Sequence, residues 1–302
     1  MKKTFKFFLV IFLIILILLA YDNKDKIYVF YRDNILKVKD NIKLERNSYY
    51  RDNDYLYVQN TNDFVSKSYN DTLNIIYSII NSGVSSFTFY CDNSYNTCIR
   101  DVENILDNNY ILSSINNYVH PYNSFEVIKA SYDSYGKITL NIIKAYTEKE
   151  INLIEDKVNE IINNYINSSM NDEEKIKIIH DYIINNAHYD TSLEKLKYSK
   201  ADDVLVYKRG ICSSYTDAMS IFLNKFNINN YKISSEDHIW NLVYLNNNWL
   251  HLDLTWDDPV SEDGKDVLDY SYYLITTDKL KEEDSSKSHK FNKDFYLELK
   301  ES

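Results

Sequence analysis

The chain is poor in glycine, proline and cysteine, and it has no excess of basic residues. Only four glycines and two prolines occur in 302 residues, so those that flank reactive side chains stand out. A net charge of −11 provides no basic surface to displace phosphate counterions, which argues against a nucleic-acid partner. The three cysteines lack C-x-x-C spacing, no H-E-x-x-H sequence occurs, and the six histidines are scattered. The sequence therefore predicts no metal site and no cofactor.

An apolar run lies close to the amino terminus. Three lysines precede an uncharged stretch from Phe7 to Ala20, which is shorter than the roughly 20 residues that span a bilayer and is typical of a signal peptide. The lysines predict that the chain after the run lies outside the cytoplasm. Residues 1–21 are therefore expected to be a signal peptide, cleaved after about Ala20 to give a secreted protein, or an uncleaved signal anchor that leaves an extracellular domain on the membrane. No cysteine follows the run, which argues against a lipoprotein.

The rest of the chain divides at changes in composition. Residues 22–65 are polar, charged and poorly periodic, which indicates a stalk or linker. Residues 66–148 contain a helical pattern and two β-prone runs around a turn, so they are expected to form a small α+β domain. Residues 149–302 form the third part, with a core at about 170–280, and contain the side chains of chemical interest.

The cysteines fit an oxidising environment. Cys91 and Cys98 flank a short polar stretch that can turn back on itself, so a disulfide between them is expected outside the cell. The alternative is that all three cysteines are free. The pairing would leave Cys212 as the odd thiol.

Three short segments contain Cys212, His238 and Asp253, in that order. A thiol, an imidazole and a carboxylate are the parts of a nucleophile, its base and the group that orients the base. After Cys212, apolar residues recur at helical spacing, which places Cys212 near the start of a helix: Ala218, Ile221, Phe222 and Phe226. Unpaired N–H groups and the helix dipole favour a thiolate there.

The histidine and the aspartate belong to a predicted β-hairpin. Two apolar, β-prone runs, residues 239–245 and 249–254, are separated by three asparagines, a residue that tolerates a tight hairpin turn. A two-residue turn would set Leu245 opposite Asn248. His238 and Asp253 then share one face, while the apolar side chains share the other. A slip of one residue would separate His238 from Asp253 and mix the core.

These segments resemble the transglutaminase-like superfamily, whose bacterial members carry Gly-x-Cys-x-x-Tyr, His-x-Trp-Asn and Asp-x-Thr-Trp-Asp-Asp-Pro. The matching residues are Gly210, Cys212 and Tyr215; His238, Trp240 and Asn241; and Asp253, Thr255, Trp256, Asp257, Asp258 and Pro259. The resemblance covers roughly residues 170–280. It implies an α+β, papain-like fold in which a nucleophile helix packs on an antiparallel sheet that holds the histidine and the acid.

The resemblance also implies roles. Cys212 would be the nucleophile, His238 the general base and acid, and Asp253 the orienting group. The cleft and its support would come from Gly210, Ser213, Tyr215, Trp240 and Trp256. Two features depart from the family pattern: relatives often have Gln-Gly where this chain has Ser213-Ser214, and they often end in Asp-His plus an aromatic residue, of which Ser288-His289-Lys290-Phe291 is a loose version.

The function expected from this site is acyl transfer on amides outside the cytoplasm. The acceptor would be water in a protease or amidase, or an amine in a cross-linking transglutaminase; the substrate would be a peptide or protein of the cell wall or surface. The alternative is a non-catalytic, membrane-tethered binding or assembly module. His180 is interpreted as structural, His251 as a weaker rival base, and Asp257 with Asp258 as fixing the turn before Pro259.

Overall fold

The amino-terminal apolar run forms an exposed helix. The computed structural model describes residues 2–35, 38, 42–133, 135–196, 199–259, 268–284 and 286–300. Helix α1 (Lys2–Asp22) is followed at Asn23 by α2 (Lys24–Phe30) and a π-helical turn (Tyr31–Ile35). Within the described residues no single helix is long and apolar enough to cross a membrane. The helical segments Lys6–Asp22 and Lys24–Asp33, which meet at a bend of 69°, are long and apolar enough only when they are taken together.

The segment after α2 contacts the folded body. The Arg32 guanidinium donates to the carbonyl oxygen of Tyr135 at 2.9 Å and lies over the ring of Tyr90, and the rings of Tyr28 and Tyr135 are 4.8 Å apart. The break at Asn23 thus separates the exposed apolar helix α1 from a segment that packs on the folded body.

The prediction of a polar stalk over residues 22–65 is wrong for residues 42–65. Side chains of this segment enter the core, namely Leu44, Tyr55, Val58 and Phe64. Arg51 is also buried, and its guanidinium donates to the carbonyl oxygens of Tyr118 and Asn230. The segment therefore contacts both halves of the molecule.

A four-stranded sheet forms the centre of the amino-terminal half. Its strands are β1 (Val65–Ser66), β2 (Ser86–Cys91), β3 (Phe125–Tyr132) and β4 (Lys137–Lys144), in the order β1-β2-β4-β3. The predicted hairpin is β3-β4, and Gly136 in its turn has a φ of +75°, which favours glycine. Three helices flank the strands: α3 (Tyr69–Ser82), α4 (Cys98–Asp107) and α5 (Asn109–Tyr118). Cys91 at the end of β2 and Cys98 at the start of α4 form a disulfide.

The carboxyl-terminal half holds the predicted nucleophile helix. Its elements are α6 (Glu148–Tyr165), α7 (Asp172–Asn186), β5 (His188–Tyr189), α8 (Ala201–Leu205), β6 (Arg209–Gly210), α9 (Cys212–Lys225), β7 (Asn230–Ser234), β8 (Ile239–Leu245), β9 (Asn248–Leu252) and α10 (Thr277–Glu283). Strands β7-β8-β9 form an antiparallel sheet that packs on α9. The predicted α+β class, with a helix packed on an antiparallel sheet, is confirmed.

The hairpin register is the predicted one. Leu245 pairs with Asn248, so the turn is Asn246-Asn247, and both asparagines have positive φ angles, 51° and 64°. Both faces of the β7-β8-β9 sheet are covered, whereas the sequence predicted a single apolar face. Val243 and Leu252 pack with α9 and α7, whereas Trp240 and Leu242 join the core of the amino-terminal half. The domain boundary predicted at residue 148 therefore coincides with the start of α6, and side chains from the two halves of the chain pack together in one core.

A buried ion pair fastens the nucleophile helix to this sheet. Lys232 on β7 and Asp217 on α9 are each 1% exposed, and Nζ lies 2.8 Å from Oδ1. Tyr146, just after β4, donates its hydroxyl to Oδ2 of the same aspartate. Three parts of the chain thus meet at one carboxylate.

Because removal of one partner leaves the other charge buried, Lys232→Met should lower the free energy of unfolding by about 3–5 kcal/mol. The double variant Lys232→Met/Asp217→Asn should lose less, since no buried charge remains and the amide oxygen can still accept from Tyr146. Urea denaturation of the three proteins measures both losses. Equal losses in the single and double variants would contradict the interpretation.

Candidate active site

Cys212 is the first residue of α9, and the chain before it is tightly packed. Gly210 pairs with Tyr189 between β5 and β6. A Cβ added to Gly210 would lie 2.0 Å from Ser214 Oγ and 2.6 Å from Val204 Cγ1. Glycine is therefore required here by space, and it lets the first turn of α9 close against α8. The Cys212 side chain is partly exposed and takes part in no disulfide.

His238 immediately precedes β8, and contacts fix both its backbone and its ring. Its backbone nitrogen donates to Ser235 Oγ, and its carbonyl oxygen accepts from Ser235 N. The imidazole stacks on Trp240 at 5.5 Å between centroids and 15° between planes. Nε2 lies 2.5 Å from Asp253 Oδ2. The Cys212 thiol also interacts with this ring and contributes to the raised pKa of His238.

Asp253 follows β9 and is 1% exposed. Oδ1 accepts from the backbone nitrogens of Thr255 and Trp256, at 2.9 and 3.3 Å. Oδ2 accepts from His238 and also from His289 Nε2, at 2.9 Å. A buried carboxylate is costly without partners, and here each oxygen has two.

The charges in the site stabilise one another. Burial alone would lower the pKa of His238, but the carboxylate of Asp253 and the sulfur of Cys212 outweigh it and raise the pKa to about 10. Burial would likewise raise the pKa of Asp253, yet His238 and His289 hold it well below its usual range. The site therefore favours an imidazolium between a carboxylate and the thiol, which is the arrangement that activates a cysteine nucleophile.

Four of the five residues assigned to the cleft or its support are buried in the protein. Ser213 is 5% exposed, and its hydroxyl bonds to the backbone N and O of Ser199. Tyr215 is fully buried and donates to Asp258 Oδ2 at 2.6 Å. Ser213 and Tyr215 therefore support the helix and the loop after Asp253 rather than form a cleft wall.

The rival base is unavailable for catalysis. His251 is fully buried, Nδ1 accepts from Trp240 Nε1 at 2.9 Å, and Nε2 bonds to Thr277 Oγ1. Burial lowers the pKa of His251 to about 3. A neutral His251 thus fixes the indole that stacks on His238. Trp256, which is partly exposed, lies 6.2 Å from the His238 ring on another side.

The loop that follows Asp253 is tied to α7 and α9. His180 Nε2 bonds to Asp257 Oδ2 at 3.1 Å, and Asp257 Oδ1 accepts from Tyr272 N. Asp258 holds Tyr215, as described above. The structural interpretation of His180 agrees with these contacts, and the two aspartates do more than shape the turn before Pro259, since each one joins the loop to a helix.

His289 is a site residue for which the sequence motifs indicated no role. Its Nε2 donates to Asp253, and its Nδ1 lies 2.7 Å from Oδ2 of Asp284, the residue that caps α10. Its ring packs against Trp256, Tyr272 and Trp240. The only signal in the sequence was the loose match of Ser288-His289-Lys290-Phe291 to the family pattern. That match does not indicate that His289 lies beside Asp253.

His238, Asp253 and His289 also form a group that could be considered for a metal ion. Their nitrogen–oxygen separations of 2.5 and 2.9 Å are hydrogen-bond distances. Ligand atoms at about 2.0–2.1 Å from a tetrahedral zinc would stand farther apart, at roughly 3.3 Å. The observed spacing therefore suits protons between these atoms and not a metal.

Part of the chain matches a known family. Residues 159–254 match the model of the transglutaminase-like superfamily. A crystal structure of a TGase is similar at 12% identity and a TM-score of 0.33, over 44% of this chain and 44% of that one. A candidate cysteine protease from Cytophaga hutchinsonii is similar at 12% identity and a TM-score of 0.29, over 50% of this chain and 70% of that one. No curated protein sequence matches the chain.

The matched range confirms the predicted resemblance for the segment that contains Cys212, His238 and Asp253. The chain spans less than half the length of the TGase. The matched range ends at residue 254, so it does not include the segment that carries His289.

The His238–Asp253 pair should make stability depend on pH. The raised pKa of His238 means that its contribution is complete below about pH 6.5, the ordinary value, and is lost as pH rises through about 10. The lowered pKa of Asp253 means that its contribution is complete above about pH 4 and is lost only in stronger acid. Asp253→Asn should therefore cost most between about pH 4 and 6.5, on the order of 3 kcal/mol, and progressively less toward pH 10.

Urea denaturation of both proteins at intervals from pH 4 to 10 measures this difference, in which the titration of groups that do not contact Asp253 cancels. A difference that stays constant between pH 6 and 10 would show that the pair does not carry these charges.

Proposed function

We propose that the protein is a cysteine-dependent enzyme that transfers the acyl group of a peptide or protein amide, as the match of residues 159–254 to the transglutaminase-like superfamily suggests. One observation supports this more than any other: Cys212, His238 and Asp253 come from three separate segments, and His238 is hydrogen-bonded to Asp253 and has its pKa raised by both the carboxylate and the Cys212 thiol. The thiol is the most exposed of the three groups and the carboxylate is the most buried.

Each residue has a distinct part in the proposed reaction. The Cys212 thiolate adds to the amide carbonyl, and the imidazolium of His238 gives its proton to the departing amine. A thioester remains on Cys212, and neutral His238 then takes a proton from the incoming acceptor, whose attack releases the acyl group. The first N–H groups of α9 have no partner within the helix, so those of Cys212 and Ser213 are suited to bind the developing oxyanion.

Water is the proposed acceptor. The Cys212 side chain is partly exposed, and a thioester open to solvent hydrolyses unless the site excludes water. Hydrolysis of amide bonds is therefore favoured over cross-linking, in which an amine must compete with water. The substrates proposed are peptides or proteins of the cell wall or surface.

The proposed location of the reaction is outside the cytoplasm. Two features support export: the lysine-preceded apolar run that forms α1, and the disulfide between Cys91 and Cys98, which would be kept reduced in most cytosols. The segment from Asp25 to Arg32 contacts Tyr135, so an uncleaved α1 would hold the domain close to the membrane.

The reactivity of Cys212 tests the catalytic proposal. In wild-type protein, iodoacetamide at pH 6 should label Cys212 rapidly, because the imidazolium stabilises the thiolate, and His238→Ala should slow labelling by roughly tenfold or more. His188→Ala, which removes an exposed histidine on β5 that contacts neither His238 nor Asp253 in any observed hydrogen bond, is the matched control. Peptide mass spectrometry gives the rates. Equal slow labelling in all three proteins would exclude the catalytic pair and favour the non-catalytic binding module.

The acceptor is tested with casein and a fluorescent primary amine. Release of peptides or ammonia without incorporation of the amine is expected, and Cys212→Ala should abolish it. Incorporation of the amine as the main product would instead identify a cross-linking enzyme.

Protease added to intact cells tests the location. The full chain should be digested from outside, whereas residues 22–302 expressed alone should be protected. Protection of the full chain would contradict export. The amino-terminal peptide of the mature protein, read by mass spectrometry, distinguishes cleavage near Ala20 from a retained anchor.

A further inference from the structure

Both ring nitrogens of His289 face carboxylates. Nε2 lies 2.9 Å from Asp253 Oδ2, and Nδ1 lies 2.7 Å from Asp284 Oδ2. Carboxylate oxygens accept hydrogen bonds, so each ring nitrogen is placed to donate to one of the two acids. His289 is 7% exposed, so both contacts are shielded from water.

Asp284 is itself fixed. Its Oδ1 accepts from Ser286 N at 2.6 Å, and Oδ2 accepts from both the backbone and the ring of His289. Burial opposes ionisation, but these bonds hold the pKa of Asp284 below its usual range. The residue also ends α10, so its position is set by a helix.

Four hydrogen-bonded side chains therefore form one row in which acids and histidines alternate. It runs from Asp284 through His289 and Asp253 to His238, on which the Cys212 thiol also acts. His238 and His289 share one oxygen, Oδ2, and approach it with their ring planes at 88°. Each bond to the shared oxygen thus constrains the direction of the other.

We propose that His289, held by Asp284, is a positioning residue that keeps the Asp253 carboxylate aligned on His238. This inference rests on the proposed acyl-transfer function. Its significance lies in the step at which His238 gives its proton to the departing amine, because the imidazolium that faced Asp253 then becomes neutral. His289 remains as a hydrogen-bond donor to Asp253, so Asp253 stays in place and can orient His238 for the second half of the reaction.

Two substitutions separate the hydrogen bond from the packing of the ring. His289→Phe keeps an aromatic ring against Trp256 and Tyr272 but cannot donate. His289→Gln loses the ring, but its amide nitrogen can occupy the position of Nε2 and donate to Asp253. The matched control is His120→Phe, the same change at a buried histidine in the amino-terminal half.

Iodoacetamide labelling of Cys212 is the first readout. His289→Phe should slow labelling by roughly ten- to hundredfold, the effect of losing a hydrogen bond to a charged group, while His289→Gln and His120→Phe should stay within about threefold of wild type. A purely structural role for the ring predicts the reverse order of the Phe and Gln variants. That order, or equal rates for the Phe variant and wild type, would overturn the proposal.

Nuclear magnetic resonance of the histidine ring N–H groups is the second readout and does not depend on catalysis. The His238 Nε2–H signal, assigned by its loss in His238→Ala, should persist in His289→Gln and disappear by solvent exchange in His289→Phe. Persistence in the Phe variant would overturn the positioning role. If His238→Ala labels like wild type, the acyl-transfer function fails, and the resonance of His238 still decides whether His289 positions Asp253.

Discussion

The buried carboxylate of Asp253 is the group on which the site depends. A carboxylate that is 1% exposed must be fully hydrogen-bonded, and its four donors come from the chain immediately after it and from two distant histidines. Loss of any one donor leaves part of a buried charge without a partner, a penalty of about 1–3 kcal/mol or more. The free-energy cost of leaving this buried carboxylate without hydrogen bonds therefore keeps its four donors in place.

This requirement links segments that are far apart in sequence. The β8-β9 hairpin brings Asp253 near His238, and the segment after α10 brings His289 to the other side of the same oxygen. Asn241 on β8 donates to the carbonyl oxygen of Thr216 on α9, and the Thr216 hydroxyl donates to Ile239 O. The thiol at the start of α9 is thereby fixed against the hairpin that carries its partners.

Much of this arrangement could be predicted because it is local or periodic. The hairpin register followed from a period-two apolar pattern and a turn of asparagines, and only one register could satisfy both. The helix start at Cys212 followed from apolar spacing, and the disulfide from two cysteines on either side of a short polar stretch. In each case a few neighbouring residues contain the whole signal.

The rest could not be predicted because its cause is tertiary. Residues 42–65 have no periodicity, and they are buried through isolated side chains such as Tyr55 and Val58 that fill gaps between elements. The contact between His289 and Asp253 joins residues 36 positions apart, across a helix and a loop that carry no pairing pattern. The motif beside the nucleophile assigned Tyr215 to the cleft or its support, and only the tertiary contact of its hydroxyl with Asp258 shows that it supports the loop after Asp253.

The exposure along the row from Asp284 to Cys212 has a chemical consequence. Asp284, His289, Asp253 and His238 are shielded from solvent, and only Cys212 is partly open. Water therefore screens the Cys212 end, where substrate must enter, far more than the buried pairs behind it. When the charge on Cys212 changes during acylation, His238 balances that change by giving up or taking a proton. Because Asp253 and His289 are already paired, they need no rearrangement when this happens, and low reorganisation of surrounding charges is what makes a preorganised site effective.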